Sequence, residues 1–267
     1  MRLKRYISEA IVVPKATEVN TILNVVRDAR NAWYKEQTAR ALHTAMEKAG
    51  KEASKKFKDV NIEFEKTQNW QEDLTGGVRP WFPHYLVFRY HTKETQEEWL
   101  DKTSFKIWLE RFRSVIEHEL VHIEQFRKIA KAVGVDKASD ILLDLVHKQQ
   151  YTSKDDLDKY LTSHLEIMAH AKQTDAELEH EYLASEILQM LRNKYSLEYI
   201  AFGTPGFQNY VSIIKKNFPR TWKKFIKYLV SFLERRQKKE EKSGRKIERD
   251  EDIEADVEMW KNLGKGK

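Results

Sequence analysis

The stretch "IEHELVHIEQF", Ile116 to Phe126, places two histidines and three glutamates among apolar residues. Residues three and four apart share one face of an α-helix, so the positions of the apolar residues show which faces are covered. Here they are distributed around most of the helix: Ile116, Leu120, Val121, Ile123 and Phe126. The pattern therefore predicts a helix that is buried on more than one face. Because buried polar groups without partners are costly, the titratable residues in this helix call for an explanation.

His118, Glu119 and His122 form the motif H-E-x-x-H inside this stretch. Residues four apart lie one turn above each other, so both imidazoles can reach one metal ion. Zinc would be held at about 2.0–2.1 Å from each ring nitrogen. Glu119 lies about 100° further around the helix, beside the metal, where its carboxylate can accept a proton from water. The motif predicts a metal site with Glu119 as general base.

A five-residue motif of this kind also arises by chance, and the alternative is a pair of histidines on an exposed helix face. In the metal-binding interpretation the flanking Glu117 and Glu124 face solvent. Gln125 follows His122 by about one turn and either hydrogen-bonds a ligand or is an ordinary polar helix residue.

A catalytic zinc site requires a third protein ligand, and the stretch "SHLEIMAHA" at 163–171 offers candidates about forty residues later. Glu166 is the predicted ligand, because it lies among apolar residues and small alanines that permit close approach of another helix. His170 is the alternative, either as the ligand or as a partner that holds a carboxylate. His164 and His180 are further candidates, and Glu166 could instead be an ordinary carboxylate paired with a lysine.

"HELVH" followed by "EIMAHA" resembles the zincin metallopeptidases in their glutamate-ligand branch, the gluzincins. The longer pattern "EHELVHIEQ…HLEIMAHA" is similar to small zincin-like proteins encoded in bacteriophage genomes. The resemblance covers Asn61 to Tyr182. No glycine and third histidine follow His122 at the spacing of the metzincins, which excludes that branch.

The resemblance implies three zinc ligands and one general base: His118, His122, Glu166 and Glu119. It also implies that "HYLVFRYHT" at 84–92 is an edge strand on which an extended peptide could pair as an added strand. His180 or Tyr182 would stabilise the oxyanion as further catalytic residues, with polar side chains of the edge strand as rivals for that role.

Hydrophobic periodicity predicts an α+β fold that is mostly α-helical and zincin-like. The expected helices are a long N-terminal one at 16–49, the metal-site helix at 104–132, a short one at 137–148, a long second ligand-bearing helix at 157–194, and a last one at 218–239. Two strands, at 59–66 and 84–92, joined by a turn region with Gly76 and Gly77, predict a small antiparallel sheet.

The expected organisation has three parts. Residues 1–200 would form the zincin-like domain, and residues 201–238 a C-terminal helical extension packed on it. The charged tail at 239–267 would be a solvated helix or mobile, unless its few apolar residues dock on a partner.

The composition narrows the function classes. The 267 residues include no cysteine, which excludes thiolate ligands and a cysteine nucleophile. No apolar run approaches the length of a membrane span and the opening residues do not form a signal peptide, so we expect a cytoplasmic protein, or a virion-associated one if phage-encoded, without a membrane partner. The net charge of +6 permits contact with nucleic acid but does not demand it.

These observations predict a zinc-dependent metallopeptidase, a hydrolase that acts on a protein or peptide substrate. One alternative is a zincin-fold binding or assembly protein with little or no turnover. Another is a nucleic-acid-associated protease that uses the basic helix at 215–239.

Overall fold

The computed structural model describes residues 11–68, 74–79, 84–148, 161–192, 204, 207–208 and 210–247, without the side chains of Arg79, of 142–148 and of His164. The chain divides into two compact units, Met1–Gln150 and Tyr151–Lys267, and each is described by itself. The protein is mostly helical, with a small three-stranded sheet, so the predicted α+β class is confirmed.

The first unit opens with two helices, α1 (Ala16–Trp33) and α2 (Ala39–Ser54). The single long helix expected over 16–49 is therefore wrong. The Trp33 indole N–H donates to the Thr38 carbonyl at 3.0 Å, and the Thr38 hydroxyl caps α2 by accepting from the Ala41 N–H. Gln37 lies between them with a φ of 53°. A side-chain cap and a left-handed residue end one helix and start the next, although the apolar periodicity continues across the break.

Three strands follow: β1 (Val60–Thr67), β2 (Leu74–Arg79) and β3 (His84–His91). The order is β1-β3-β2, with β1 parallel to β3 and β2 antiparallel to it. The expected antiparallel sheet is thus a mixed one, and the segment with Gly76 and Gly77, expected as a turn, is a strand. The strand at 84–92, expected at the edge, is central. A short hairpin loop between β1 and β3 would make these strands antiparallel. Because the segment between them contains another strand, β2, the chain can return so that β3 runs parallel to β1.

Helices α3 (Thr92–Leu100), α4 (Lys102–Val133) and α5 (Val135–Lys148) complete the first unit. The Asp101 carboxylate accepts from the Ser104 N–H and caps α4, and Gly134 ends it at a φ of 88°. These bounds confirm the predicted metal-site helix.

Aromatic side chains hold α4 against the sheet. The Phe88 ring lies 5.6 Å from Phe64 of the neighbouring strand and 4.9 Å from Phe112 of α4, measured between centroids. All three side chains are buried. Because Phe112 precedes the H-E-x-x-H motif on the same helix, this packing sets the depth at which the motif lies beside the sheet.

The second unit contains α6 (His164–Leu178), α7 (Ala184–Arg192) and α8 (Pro219–Ser243). A π-helical turn (Tyr210–Ile214) and a short helical stretch (Lys215–Asn217) precede α8. The continuous helix expected over 157–194 is interrupted within its described part, because carboxylates cap the start of α7. Glu186 accepts from the Leu183 N–H at 2.8 Å, and Glu240 accepts from the Ala184 N–H at 2.9 Å. The last helix is confirmed and reaches Ser243. The rest of the predicted tail, from residue 248, lies outside the described residues.

A buried ion pair ties α8 to α6. Arg236 Nε lies 2.9 Å from Asp175, which also accepts a hydrogen bond from Lys172 at 2.9 Å. Burial raises the pKa of Asp175, but the two cations outweigh it and hold that pKa below its ordinary value. No helix in the described part of the chain has the length and apolar character needed to cross a lipid bilayer.

Arg127 is the centre of an ion network in the first unit. Its guanidinium makes a bidentate pair with Asp59 at 2.7 Å for both contacts, and it also donates to Glu18 and Glu124. The hydrogen bond from Arg127 holds the pKa of Asp59 below its ordinary value. The network links α1, α4 and the residue before β1.

We predict that Arg127→Met lowers the free energy of unfolding by about 1–3 kcal/mol near neutral pH, because Asp59 loses its hydrogen-bonded cation. Glu18 and Glu124 would keep only the more exposed Lys15, at 3.4 and 3.6 Å. A carboxyl with a lowered folded-state pKa stabilises the fold above its unfolded pKa and loses that contribution as the pH falls. The difference from the wild type should therefore shrink below about pH 4. Urea unfolding at several pH values measures it.

Arg111→Met on the same helix is the matched control. Arg111 pairs with Glu98 at 2.8 Å on the surface, so we expect a loss below about 1 kcal/mol. An Arg127→Met variant as stable as this control would contradict the central role of Arg127.

Candidate metal centre

Helix α4 brings His118 and His122 to one buried site. The two side chains are only 6% and 7% exposed, which excludes the alternative of a solvated histidine pair. Their Nε2 atoms lie 3.3 Å apart. Two ligands held at 2.0–2.1 Å in tetrahedral geometry would be about 3.3–3.4 Å apart, so the spacing suits one shared ion.

Gln125 orients the second histidine. Its Oε1 lies 3.1 Å from Nδ1 of His122, and Gln125 itself is 2% exposed. An amide oxygen accepts, so Nδ1 carries the proton and Nε2 keeps its lone pair on the side of His118. Such an outer hydrogen bond holds a metal-ligating imidazole in the correct tautomer and orientation. Of the two interpretations of Gln125 from the sequence, the structure supports the hydrogen-bonded one.

Glu166 of α6 completes the group. His118, His122 and Glu166 are all buried, and each offers one ligand atom within 4.8 Å of the others. Among the described residues this is the only set of three or more such side chains close enough to share an ion, and it does not include His170. Two imidazoles and one carboxylate are the donor set of a catalytic zinc site with an open fourth position. The group can therefore hold a metal ion.

His170 lies one turn beyond Glu166, with Nε2 at 3.9 Å from a Glu166 oxygen. Its ring packs 5.6 Å from Tyr210, and Tyr210 stacks on Phe225 at 4.1 Å. Burial, and then the Glu166 charge, raise the pKa of Tyr210 well above its ordinary value, so its hydroxyl stays protonated and donates to the Leu161 carbonyl at 2.7 Å. His170 thus lies beside the carboxylate, in the position of the supporting partner considered from the sequence. The side chain of His164 lies outside the described residues.

Glu119 is buried, at 6% exposure, and strand β2 runs directly against it. A Cβ atom placed on Gly76 would lie 2.5 Å from Cγ and 2.9 Å from Oε1 of Glu119. Only a glycine leaves room for this side chain, which makes Gly76 a site residue that the sequence did not reveal. The Gly76-Gly77 pair predicted a turn. No sequence pattern distinguishes a glycine in a turn from a glycine in a strand that leaves space for a side chain of another element.

Glu117 differs from the expectation of a solvent-facing residue. It is 4% exposed, and Arg113 donates to it at 3.1 Å. Glu124 remains partly exposed and accepts from Arg127. A helix buried on every side left no solvated position for Glu117, so its charge is paired instead.

His180 and Tyr182 follow the end of α6. His180 is half-buried in the turn after that helix, whereas Tyr182 is 6% exposed and its carbonyl accepts from Arg236 at 3.0 Å. Their role in stabilising an oxyanion stays a prediction.

Comparison with protein-family models, with curated proteins and with solved structures finds no match to this chain. The resemblance to zincins therefore rests on the two short motifs, and the function must be inferred from the side chains themselves.

We predict that Gly76→Ala lowers the free energy of unfolding by about 1–3 kcal/mol, because the added methyl collides with Glu119 at the root of its side chain. Gly77→Ala is the matched control in the same strand, since nothing lies within 4 Å of its added Cβ. Its stability should stay the same or rise by about 0.4–1 kcal/mol. Denaturant unfolding of both variants measures the difference, and equal effects would refute the close approach of β2 to Glu119.

Proposed function

We propose that the protein is a zinc-dependent hydrolase of peptide bonds, similar in chemistry to the gluzincins. The observation that carries this proposal is the buried group of His118, His122 and Glu166, with the buried carboxylate of Glu119 next in sequence to a ligand. A structural metal site has four protein ligands, whereas this group has three and leaves a position for water or substrate.

Zinc is the proposed metal because of the donor chemistry. Two neutral imidazoles and one carboxylate suit zinc, whereas magnesium and calcium prefer all-oxygen ligands. The absence of cysteine removes the thiolates that would favour a structural zinc or an iron–sulfur cluster. The hydrogen bond from His122 to Gln125 keeps the imidazole in the form that binds a metal.

When bound, zinc supplies a Lewis acid that polarises a carbonyl and makes water more acidic. Glu119 would then accept a proton from the attacking water and deliver it to the departing amine nitrogen. Its buried position against Gly76 keeps the carboxylate close to the reacting groups and limits its alternative rotamers. Pre-positioning of this kind is a large part of catalytic rate enhancement.

Strand β2 is the proposed docking edge for the substrate. The order β1-β3-β2 places it at one border of the described sheet, so its outer side is open for pairing there. An extended peptide could add to β2 by main-chain hydrogen bonds, which bind without requiring one particular sequence. Because Gly76 lies against Glu119, a peptide on this edge would run past the proposed base. The peptide-pairing edge expected at the strand 84–92 is therefore proposed for β2 instead.

We expect purified protein, loaded with zinc and dialysed, to retain about one equivalent of the metal. His118→Gln and Glu166→Gln should abolish retention, whereas Gln125→Ala should weaken the affinity about 10- to 100-fold through loss of the hydrogen bond to His122. Elemental analysis and competition with a chelator measure both effects.

His170→Gln serves as the control for Glu166→Gln, because it changes a neighbour on the same helix that lies outside the ligand group. It should retain zinc. Loss of zinc in His170→Gln with retention in Glu166→Gln would make His170 the third ligand, and absence of zinc from the loaded wild type would end the proposal.

We further expect Glu119→Gln to keep its zinc and to lose peptide hydrolysis about 10²- to 10⁴-fold, because an amide cannot act as the base. The assay follows cleavage of a mixture of unstructured peptides by mass spectrometry. Glu124→Gln on the same helix should retain activity, since its carboxylate pairs with Arg127 rather than facing the group. A wild type that binds zinc and cleaves nothing would favour the assembly-protein alternative.

A further inference from the structure

Helix α8 has one face committed to the interior of the second unit. Its large apolar side chains are almost fully buried: Phe225, Tyr228, Leu229, Phe232 and Leu233. Two charged residues on this face are also used inside the unit. Arg236 pairs with Asp175 at 2.9 Å, and Glu240 accepts from the Ala184 N–H. These contacts fix the rotation of the helix, so the residues on its other side face outward.

The outward side of α8 is strongly basic. Eight exposed cationic residues form what we name the basic face: Arg220, Lys223, Lys224, Lys227, Arg235, Lys238, Lys239 and Lys242. Only two exposed acidic residues of the helix, Glu234 and Glu241, accompany them. Glu241 accepts a hydrogen bond from Gln237 at 2.9 Å. The interspersed charges that characterise most of the chain are therefore absent from this helix surface.

The basic face is electrostatically unfavourable by itself. Seven of its eight residues make no ion pair within the described part of the chain, and Lys227 has a further contact of its own. Like charges repeat at spacings of three and four residues, as in Arg220, Lys224 and Lys227 or Arg235, Lys238 and Lys242. Each such pair destabilises a helix by about 0.2–0.5 kcal/mol, and a bound polyanion would reverse the sign of these interactions.

We propose that the basic face of α8 binds the phosphate backbone of a nucleic acid. From Arg220 to Lys242 the helix extends about 33 Å at 1.5 Å per residue. That length matches about one turn of a DNA duplex, over which phosphates recur at about 3.4 Å per strand. Because the two backbones wind around the duplex, a row of lysines and arginines of this length can contact phosphates on both sides of a groove, where the helix crosses the strands. Such contacts carry no sequence information, so the binding is independent of base sequence.

An anionic membrane is the partner that the packing disfavours. A helix that binds at a membrane surface inserts its apolar side into the lipid boundary, whereas the apolar side of α8 is buried within its own unit. Trp222 at the start of the helix is also engaged, since it stacks on Phe225 at 5.9 Å. The basic face therefore exposes cations to solvent but presents no large apolar side chain that could insert into a lipid bilayer.

The test is fluorescence anisotropy of the full-length protein with a labelled DNA duplex of arbitrary sequence, across a range of salt concentrations. Wild-type binding should weaken steeply with salt. The triple substitution Lys223→Gln, Lys224→Gln and Lys227→Gln should lower the log–log salt slope by about 2–3 and weaken binding at least about tenfold at about 50 mM salt. A control with Lys48→Gln, Lys51→Gln and Lys56→Gln removes the same charge from exposed positions at α2 and should bind like the wild type.

Thermal unfolding and zinc content of both triple variants distinguish a lost surface from a lost fold, and they separate this proposal from the metal centre. The proposal is overturned if the wild type does not bind the duplex at low salt, or if both triple variants bind equally. It is likewise overturned if polyglutamate of equal charge displaces the duplex as well as unlabelled DNA does, or if anionic vesicles do so. Those results would assign the face to an acidic polypeptide or to a membrane.

Discussion

The cost of burying polar groups is the constraint on which the first unit depends. Helix α4 is covered on every side near its middle, and yet the buried positions include His118, Glu119 and His122. Each such group must find a partner inside the protein, because water cannot supply one there. Gln125 satisfies His122, Arg113 satisfies Glu117, and the paired imidazoles lie 3.3 Å apart. A metal ion is the partner that suits two imidazole nitrogens facing each other at that distance.

The sheet is built around the same helix. Strand β3 packs Phe88 against Phe112 of α4, and the neighbouring strand β2 then reaches the motif itself. The approach is so close that residue 76 has no space for a side chain. A glycine weakens a strand because it costs more conformational entropy and contributes no packing. Its presence at this position therefore indicates that closeness to Glu119 outweighs local strand stability.

The second unit shows how charge can be divided on one helix. The cations and anions on the inner side of α8 are paired with named partners, as Arg236 is with Asp175. The outer side has almost only cations, most of them without an ion pair in the described part of the chain. Packing within the unit explains the paired charges on the inner side of α8, but it does not explain the cations on the outer side. That asymmetry separates a helix whose charges serve the fold from a surface whose charges are available to a partner.

The amino-acid sequence by itself determined the metal-site helix, its burial and the two imidazoles on one face, because these follow from local spacing and periodicity. It also indicated Glu166, from the apolar residues around that carboxylate. Only the tertiary structure decided that β2 is a strand at the edge, that Gly76 makes room for Glu119, and that Glu117 is buried with Arg113. The first two features depend on contacts between residues far apart in the chain. Arg113 lies only one turn from Glu117, but the burial of Glu117 depends on what packs around α4. The breaks after Trp33 and Leu178 do not follow from the sequence, because the apolar pattern continues across them. The next helix starts in each case at a side-chain cap, and one of these caps, Glu240, comes from α8.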